Sequence, residues 1–173
     1  MTGMTYWITG LAGSGKSTLA QALQLALREK GRHSVLLDGD RLREVFGGDL
    51  GYSIEDRKKS AFRNARLCQL ISSQGIDVIC ATISMFDDVR AWNRANNENY
   101  LEVYLQVPIE TLRQRNQKNL YSPNSSGSVM GIDLPFEEPK APDLILINDG
   151  RLSVQDSCIQ VLNLNLTKKG STK

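Results

Sequence analysis

Apolar residues along this chain follow two alternating patterns. Short apolar runs predict five buried β-strands, over residues 6–9, 34–37, 77–81, 101–107 and 143–147. Apolar residues at helical spacing predict helices over residues 18–30, 54–73, 109–115 and 154–166. Because strands that alternate with helices are typical of parallel βαβ units, the pattern predicts a three-layer α/β domain with a parallel sheet.

One long segment interrupts this alternation. Residues 117–142 are rich in Ser, Asn, Gly and Pro and show no clear periodicity. A loop of this length inside a compact domain is usually a lid, a binding loop or a disordered segment. We therefore expect a single domain over residues 1–173, with residues 117–142 as a mobile lid.

Composition changes this picture little. The chain has 173 residues, 40% of them hydrophobic and 23% charged, as in an ordinary globular domain. With 21 Lys and Arg against 19 Asp and Glu, charge gives no indication of a polymeric nucleic acid or a membrane as partner. We expect a cytoplasmic protein, because we find no signal peptide or membrane-spanning run and interpret Cys68, Cys80 and Cys158 as buried reduced thiols.

The strongest local signal is the sequence GLAGSGKS at residues 10–17, which matches the phosphate-loop pattern GxxxxGK[ST]. It lies between a predicted strand and a predicted helix, as that motif requires. The glycines let backbone amides point into one concavity at the positive end of the helix, where phosphate oxygens bind. Lys16 can reach the β- and γ-phosphates, and the Ser17 hydroxyl oxygen can bind Mg²⁺. The predicted donor site comprises Gly10, Gly13, Ser14, Gly15, Lys16, Ser17 and Thr18.

A phosphate loop identifies a phosphate donor and leaves the reaction open. The second half of the chain has no NKxD-like motif for a GTPase, and the chain is short for a motor ATPase. A small kinase fits the length, and a lid would exclude water from its site. A catalytically silent nucleotide-binding or regulatory module remains the alternative.

Two carboxylates follow the second predicted strand, in the sequence Asp38-Gly39-Asp40. Strand carboxyl ends face the ligand crevice in sheets of this kind, so both side chains are expected near the transferred phosphate. One could orient or deprotonate an acceptor hydroxyl, and the other could support Mg²⁺. The triplet also fits a capped turn that leads into a helix.

Several motifs together resemble the adenylylsulfate kinase family, which phosphorylates the 3′-hydroxyl of adenosine 5′-phosphosulfate (APS). They are TGLAGSGKST, LLDGDRLR, DLGYSIEDR, ATISMF and GIDLPFEEP, in order between residues 7 and 148. The resemblance implies a P-loop kinase fold, ATP with Mg²⁺ as donor, a nucleotide as acceptor, and a homodimer.

The resemblance also implies roles for single residues. Asp38 and Asp40 match an acidic pair near Mg²⁺ and the acceptor hydroxyl, and Tyr52 replaces a phenylalanine that stacks on the acceptor base. The implied catalytic residues are Lys16, Asp38, Asp40 and Arg115, and the implied metal ligands are Ser17 and Asp38. The implied acceptor residues are Asp40, Arg43, Tyr52, Arg57, Ser60, Ile83, Ser84, Lys118 and Val129.

The sequence departs from the family pattern mostly on the acceptor side. Ser60 replaces an asparagine, Phe62 and Asp87 each replace an arginine, and Val129 replaces a lid phenylalanine that stacks on adenine. Base–aromatic stacking is worth about 1–3 kcal/mol, so these changes favour a working kinase with another acceptor. A similar branch of the family, found with bacterial surface-polysaccharide genes, phosphorylates cytidine diphosphoramidate. The sequence leaves APS and cytidine diphosphoramidate open as acceptors.

Overall fold

The computed structural model describes residues 2–115, 130–131 and 134–170 of the chain. Within these residues, the five predicted strands and four predicted helices occur in the predicted order, together with two further helices. The elements are β1 (Thr5–Thr9), α1 (Lys16–Glu29), β2 (Ser34–Asp38), α2 (Gly39–Val45), α3 (Ile54–Ser73), β3 (Asp77–Thr82), α4 (Asp87–Asn96), β4 (Tyr100–Gln106), α5 (Ile109–Arg115), β5 (Leu144–Ile147) and α6 (Val154–Gly170).

The five described strands form one parallel sheet in the order β2-β3-β1-β4-β5. β1 is central, with β3 on one side and β4 on the other. In the register, Thr9 at the end of β1 lies beside Thr82 of β3 and Tyr104 of β4. The strands therefore end together, and the loops that follow them share one edge of the sheet.

Each face of the sheet packs against its own set of helices. Tyr6 and Ile8 of β1 belong to a buried cluster with residues of α1 and α6, such as Leu23 and Val161. Trp7 points to the opposite face, where it joins a second cluster with residues of α3 and α4. The alternation along β1 is the two-residue period of a strand buried on both faces. The structure confirms the predicted three-layer α/β architecture.

Two helices differ from the sequence-based prediction. The turn at Asp38 leads directly into α2, whose seven residues are too few to show a periodic pattern. The helix α4 was not predicted, because its buried residues include the polar Arg90 and Asn93 beside Val89. A helix that buries an arginine has no continuous apolar stripe in its sequence.

Two expectations about the whole chain can be compared with the described residues. Cys68, Cys80 and Cys158 are buried and form no disulfide, as predicted. No helix in the described part of the chain combines the length and apolar character needed to cross a bilayer.

Candidate active site

The carboxyl edge of the sheet brings together four segments that carry the predicted chemistry. The phosphate loop follows β1, Asp38 ends β2, Ser84 follows β3 and Asn148 follows β5. Parallel sheets bind ligands at this edge because the loops after their strands converge there. The site is therefore built from residues that are far apart in sequence.

The phosphate loop has the backbone conformation that its glycines predict. Gly10 and Gly15 have φ angles of 154° and 96°, which side-chain-bearing residues rarely adopt. A Cβ atom on Gly10 would lie 2.5 Å from the Leu105 carbonyl oxygen, and one on Gly15 would lie 2.9 Å from Asn148 Nδ2. Both positions therefore need glycine for conformation and for space.

Lys16 begins α1 and is buried beneath the loop. Its Nζ donates hydrogen bonds to the Leu11 carbonyl oxygen at 2.7 Å and to Ser14 Oγ at 3.4 Å. The first turn of α1 carries no acidic residue, and Ser17 and Thr18 in that turn are exposed. A helix N-terminus and an ammonium group together make a site that suits an anion.

Asp38 joins the phosphate loop to α2. Its Oδ2 accepts a hydrogen bond from Ser17 Oγ at 2.5 Å. Its Oδ1 caps α2 by accepting hydrogen bonds from the amides of Asp40 at 3.0 Å and Arg41 at 3.5 Å. One carboxylate therefore fixes the start of the helix that carries Asp40 and Arg43 relative to the donor loop.

The Ser17 hydroxyl and the Asp38 carboxylate also fit a magnesium ion, since both are oxygen donors of the kind that Mg²⁺ prefers. Among the described residues, no group of three or more His, Cys, Asp or Glu side chains is arranged so that it could hold a metal ion. This arrangement suits a Mg²⁺ ion that is bound mainly through nucleotide phosphates and water.

Arg115, at the end of α5, also reaches the phosphate loop. It donates to the Gly13 carbonyl oxygen at 3.4 Å and to the backbone and side-chain oxygens of Asn148 at 3.1 and 3.3 Å. Asn148 Nδ2 in turn donates to the Ser14 carbonyl oxygen at 2.9 Å. Sequence analysis missed Asn148, although a polar residue directly after a predicted strand at this edge was a usable signal.

The predicted acceptor residues of α2 and α3 meet around Tyr52, whose side chain is 63% exposed. The guanidinium of Arg43 lies 4.6 Å from the ring centroid and that of Arg57 lies 5.3 Å from it. Burial, followed by the charge of Arg43, lowers the pKa of Arg57 from its ordinary value. An anion bound here would relieve the repulsion between the two guanidinium groups.

Ser60 and its neighbours line a narrow cleft with room for about one water molecule. Arg43 and Arg63 also line this cleft. Arg63 makes a bidentate ion pair with Asp49, in which its two terminal nitrogens donate to the two carboxylate oxygens at 2.9 and 2.7 Å. This pairing lowers the pKa of Asp49, mainly through the hydrogen bond from Arg63. By contrast, Phe62 packs against the apolar core.

The loop after β3 carries two further predicted residues. Ile83 is half-buried and Ser84 is buried. Thr9 Oγ1, at the end of β1, donates to the Ser84 carbonyl oxygen at 3.2 Å. This bond places the loop beside the start of the phosphate loop.

Asp87, where the family pattern has a cation, forms ion pairs within the chain. Its carboxylate contacts Arg90 and also lies 2.9 Å from Lys140 Nζ. These contacts lower the pKa of Asp87, the hydrogen bond from Lys140 most of all. The change of charge at Asp87 thus has an intramolecular explanation. The predicted site residues Lys118 and Val129, and residues 117–129 and 132–133 of the expected lid over residues 117–142, lie outside the described residues.

Comparison with known proteins agrees with this geometry. The family model for adenylylsulphate kinase matches residues 2–147. A cytidine diphosphoramidate kinase from Campylobacter jejuni subsp. jejuni is 39% identical over 153 residues, which cover 87% of this chain and 89% of that protein. An adenylyl-sulfate kinase from Marinobacter nauticus is 40% identical over 161 residues, 90% of this chain and 80% of that protein.

A solved structure has the same fold. The Mycobacterium tuberculosis APS kinase CysC in complex with AMPPNP and APS aligns with a TM-score of 0.85 at 34% identity, over 94% of this chain and 97% of that one. The family model, the sequence relatives and the fold agree over most of the chain's length. The chain therefore belongs to the adenylylsulfate kinase family of phosphotransferases.

Proposed function

We propose that this protein transfers the γ-phosphate of MgATP directly to the 3′-hydroxyl of a small nucleotide. The observation that carries the proposal is the double role of Asp38, which binds Ser17 of the donor loop and caps the helix that bears Asp40 and Arg43. Donor and acceptor elements are thereby held in fixed relation, and positioning is the main source of catalysis in phosphoryl transfer.

On the donor side, the amides of the phosphate loop and Lys16 hold the β- and γ-phosphates. Ser17 and Asp38 would hold a magnesium ion, which neutralises charge that develops on the phosphates. Arg115 lies against Gly13 and Asn148, where its guanidinium can stabilise the transferring phosphoryl group. Asn148 positions Arg115 and the Ser14 carbonyl oxygen.

On the acceptor side, Asp40 orients the 3′-hydroxyl and accepts its proton. Tyr52 offers an exposed ring for the base, and Arg43 and Arg57 beside it bind the 5′-linked anionic group. The remaining proposed acceptor contacts are Ser60, Ile83, Ser84, Lys118 and Val129.

Of the two candidate acceptors, we favour cytidine diphosphoramidate over APS. Support comes from the departures on the acceptor side. Val129 stands where the family has a phenylalanine that stacks on adenine, a contact of the kind worth about 1–3 kcal/mol per base. The Campylobacter jejuni relative is named for the phosphoramidate substrate. The product would then serve modification of a surface polysaccharide.

Release of ADP from MgATP with each acceptor in turn tests this proposal. We expect turnover that requires the acceptor, with a higher kcat/KM for cytidine diphosphoramidate than for APS. A higher kcat/KM for APS would reverse the assignment of the acceptor and keep the kinase. ATP binding without ADP release in the presence of either acceptor would support a silent nucleotide-binding module instead.

We also propose a homodimer, which the family resemblance supports. Sedimentation equilibrium would test it, because a protomer of 19.2 kDa and its dimer differ twofold in mass. A single monomeric species at assay concentration would contradict it.

A further inference from the structure

Ten residues that lie before β5 are held without helix or strand geometry along one side of the site. We call residues 134–143 the strap. Tyr104 on β4 donates from its hydroxyl to Glu138 Oε1 at 2.8 Å, and Arg94 on α4 donates to the Ala141 carbonyl oxygen at 2.8 Å. The Asp143 amide donates to the Glu102 carbonyl oxygen at 3.0 Å. Hydrogen bonds with β4 and α4 therefore define the path of the strap.

Glu137, in the middle of the strap, makes the contacts nearest to the site. Its amide donates to the Met85 carbonyl oxygen at 3.0 Å, and its carbonyl oxygen accepts from Arg90 at 2.8 Å. Its carboxylate Oε2 accepts from the Asp87 amide at 2.5 Å. One exposed residue thus makes one contact with the loop after β3 and two with the first turn of α4.

The carboxylate contact replaces a cap that α4 lacks. The N-cap residue of α4 is Phe86, which has no side chain able to accept a hydrogen bond from the first turn. The first amides of a helix have no partner inside the helix, and an anion is favourable beside them. Asp88 Oδ1 accepts from the Val89 amide at 2.9 Å, and Asp87 and Asp88 place negative charge in the first turn. Glu137 provides the acceptor for the first amide, that of Asp87, from a segment 50 residues further along the chain.

The loop fixed in this way is the one proposed to contact the acceptor. Ile83 and Ser84 precede Met85, which is fully buried and bonded through its carbonyl oxygen to the strap. Ser84 Oγ is buried and has no hydrogen-bond partner among the described residues. The loop therefore holds a buried polar atom close to the backbone that Glu137 restrains.

We propose that Glu137 is a positioning residue for the acceptor site, acting through the N-terminus of α4. By capping α4, it fixes the loop at 83–86 in the position that binds the acceptor nucleotide. This inference rests on the proposed role of Ile83 and Ser84, and it predicts an effect on acceptor binding that ATP binding does not share.

Neighbouring residues of the strap provide matched variants. Glu137→Ala removes the cap, while Glu137→Gln keeps an oxygen that can accept from the Asp87 amide. Glu138→Ala is the control, because Glu138 is adjacent and also exposed, but its side chain bonds Tyr104 and Gln106 of β4. A purely structural role of the strap would make the variants at 137 and 138 behave alike.

Steady-state kinetics would measure both substrates for each variant. We expect Glu137→Ala to raise the acceptor KM about fivefold, the equivalent of a lost helix cap, and to leave the ATP KM within about twofold. Glu137→Gln should recover most of this loss, and Glu138→Ala should stay near wild type. Equal changes in both KM values, or an unchanged acceptor KM in Glu137→Ala, would overturn the proposal.

Amide hydrogen exchange tests the cap separately from the identity of the acceptor. We expect faster exchange at residues 87–89 in Glu137→Ala than in Glu138→Ala, with both variants folded by circular dichroism. Unchanged exchange in Glu137→Ala would overturn the capping role. If the wild-type protein phosphorylates neither acceptor, the proposed function fails, whereas the exchange experiment still decides whether Glu137 caps α4.

Discussion

Replacing Asp38 separates its structural role from its electrostatic role. Asparagine ranks with aspartate as a helix cap, so Asp38→Asn should keep the bonds to the Asp40 and Arg41 amides and change stability by less than about 0.5 kcal/mol. Asp38→Ala removes the cap and should cost about 1 kcal/mol. For a chain of this size, that cost corresponds to a fall in Tm of about 2–4 °C.

Catalysis should respond to the charge in both variants, and Asp38→Ala, which also loses the cap that positions Asp40 and Arg43, should have the lower kcat of the two. Both variants lose the carboxylate beside Ser17, so kcat should fall about 100-fold or more in each. Calorimetry would measure Tm, and ADP release at varied Mg²⁺ would give kcat and the Mg²⁺ concentration for half-maximal rate. If Asp38→Asn kept wild-type kcat and Mg²⁺ dependence, the reasoning about Asp38 would be refuted.

Three further predictions concern single side chains. Lys16→Ala should lower kcat about 100- to 1000-fold and leave the circular dichroism spectrum unchanged, and a wild-type rate would contradict the donor site. Asp40→Asn should lower kcat more than it raises the ATP KM; the reverse result in steady-state kinetics would move Asp40 to a donor role. Asp87 has a lowered pKa in the folded protein, so its ion pairs stabilise the fold above the ordinary Asp pKa and are lost as pH falls through the folded value. Its carboxyl NMR titration midpoint should therefore rise in Lys140→Ala, and an unshifted midpoint would exclude that ion pair.

The fold and the conformation of the phosphate loop were predictable because their signals are local. The glycines of the phosphate loop are required by the local backbone conformation at Gly10 and Gly15. Strand and helix periods likewise follow from burial on both faces of the sheet, as at Tyr6 and Trp7. These features depend on neighbours in sequence, so the sequence alone indicates them.

The remaining features depend on contacts between distant segments. The helix α4 was not predicted because it buries the charged residue Arg90. The Arg90 guanidinium pairs with Asp87, and its Nε lies 3.7 Å from Glu102 Oε1. A sequence does not show that such a charge is buried until its partners are known. The contact of Glu137 with the start of α4 could not be predicted for the same reason, since its partner, the Asp87 amide, lies 50 residues away in sequence.

The position of the transferred phosphate tests the central claim most directly. The purified protein would be incubated with MgATP and cytidine diphosphoramidate, with APS in a parallel reaction, and the isolated product examined by ³¹P NMR with coupling to the ribose protons. The account predicts one new phosphate ester, coupled to the 3′ proton of the acceptor ribose. Phosphate on another position, or inorganic phosphate as the sole product, would contradict a nucleotide 3′-kinase.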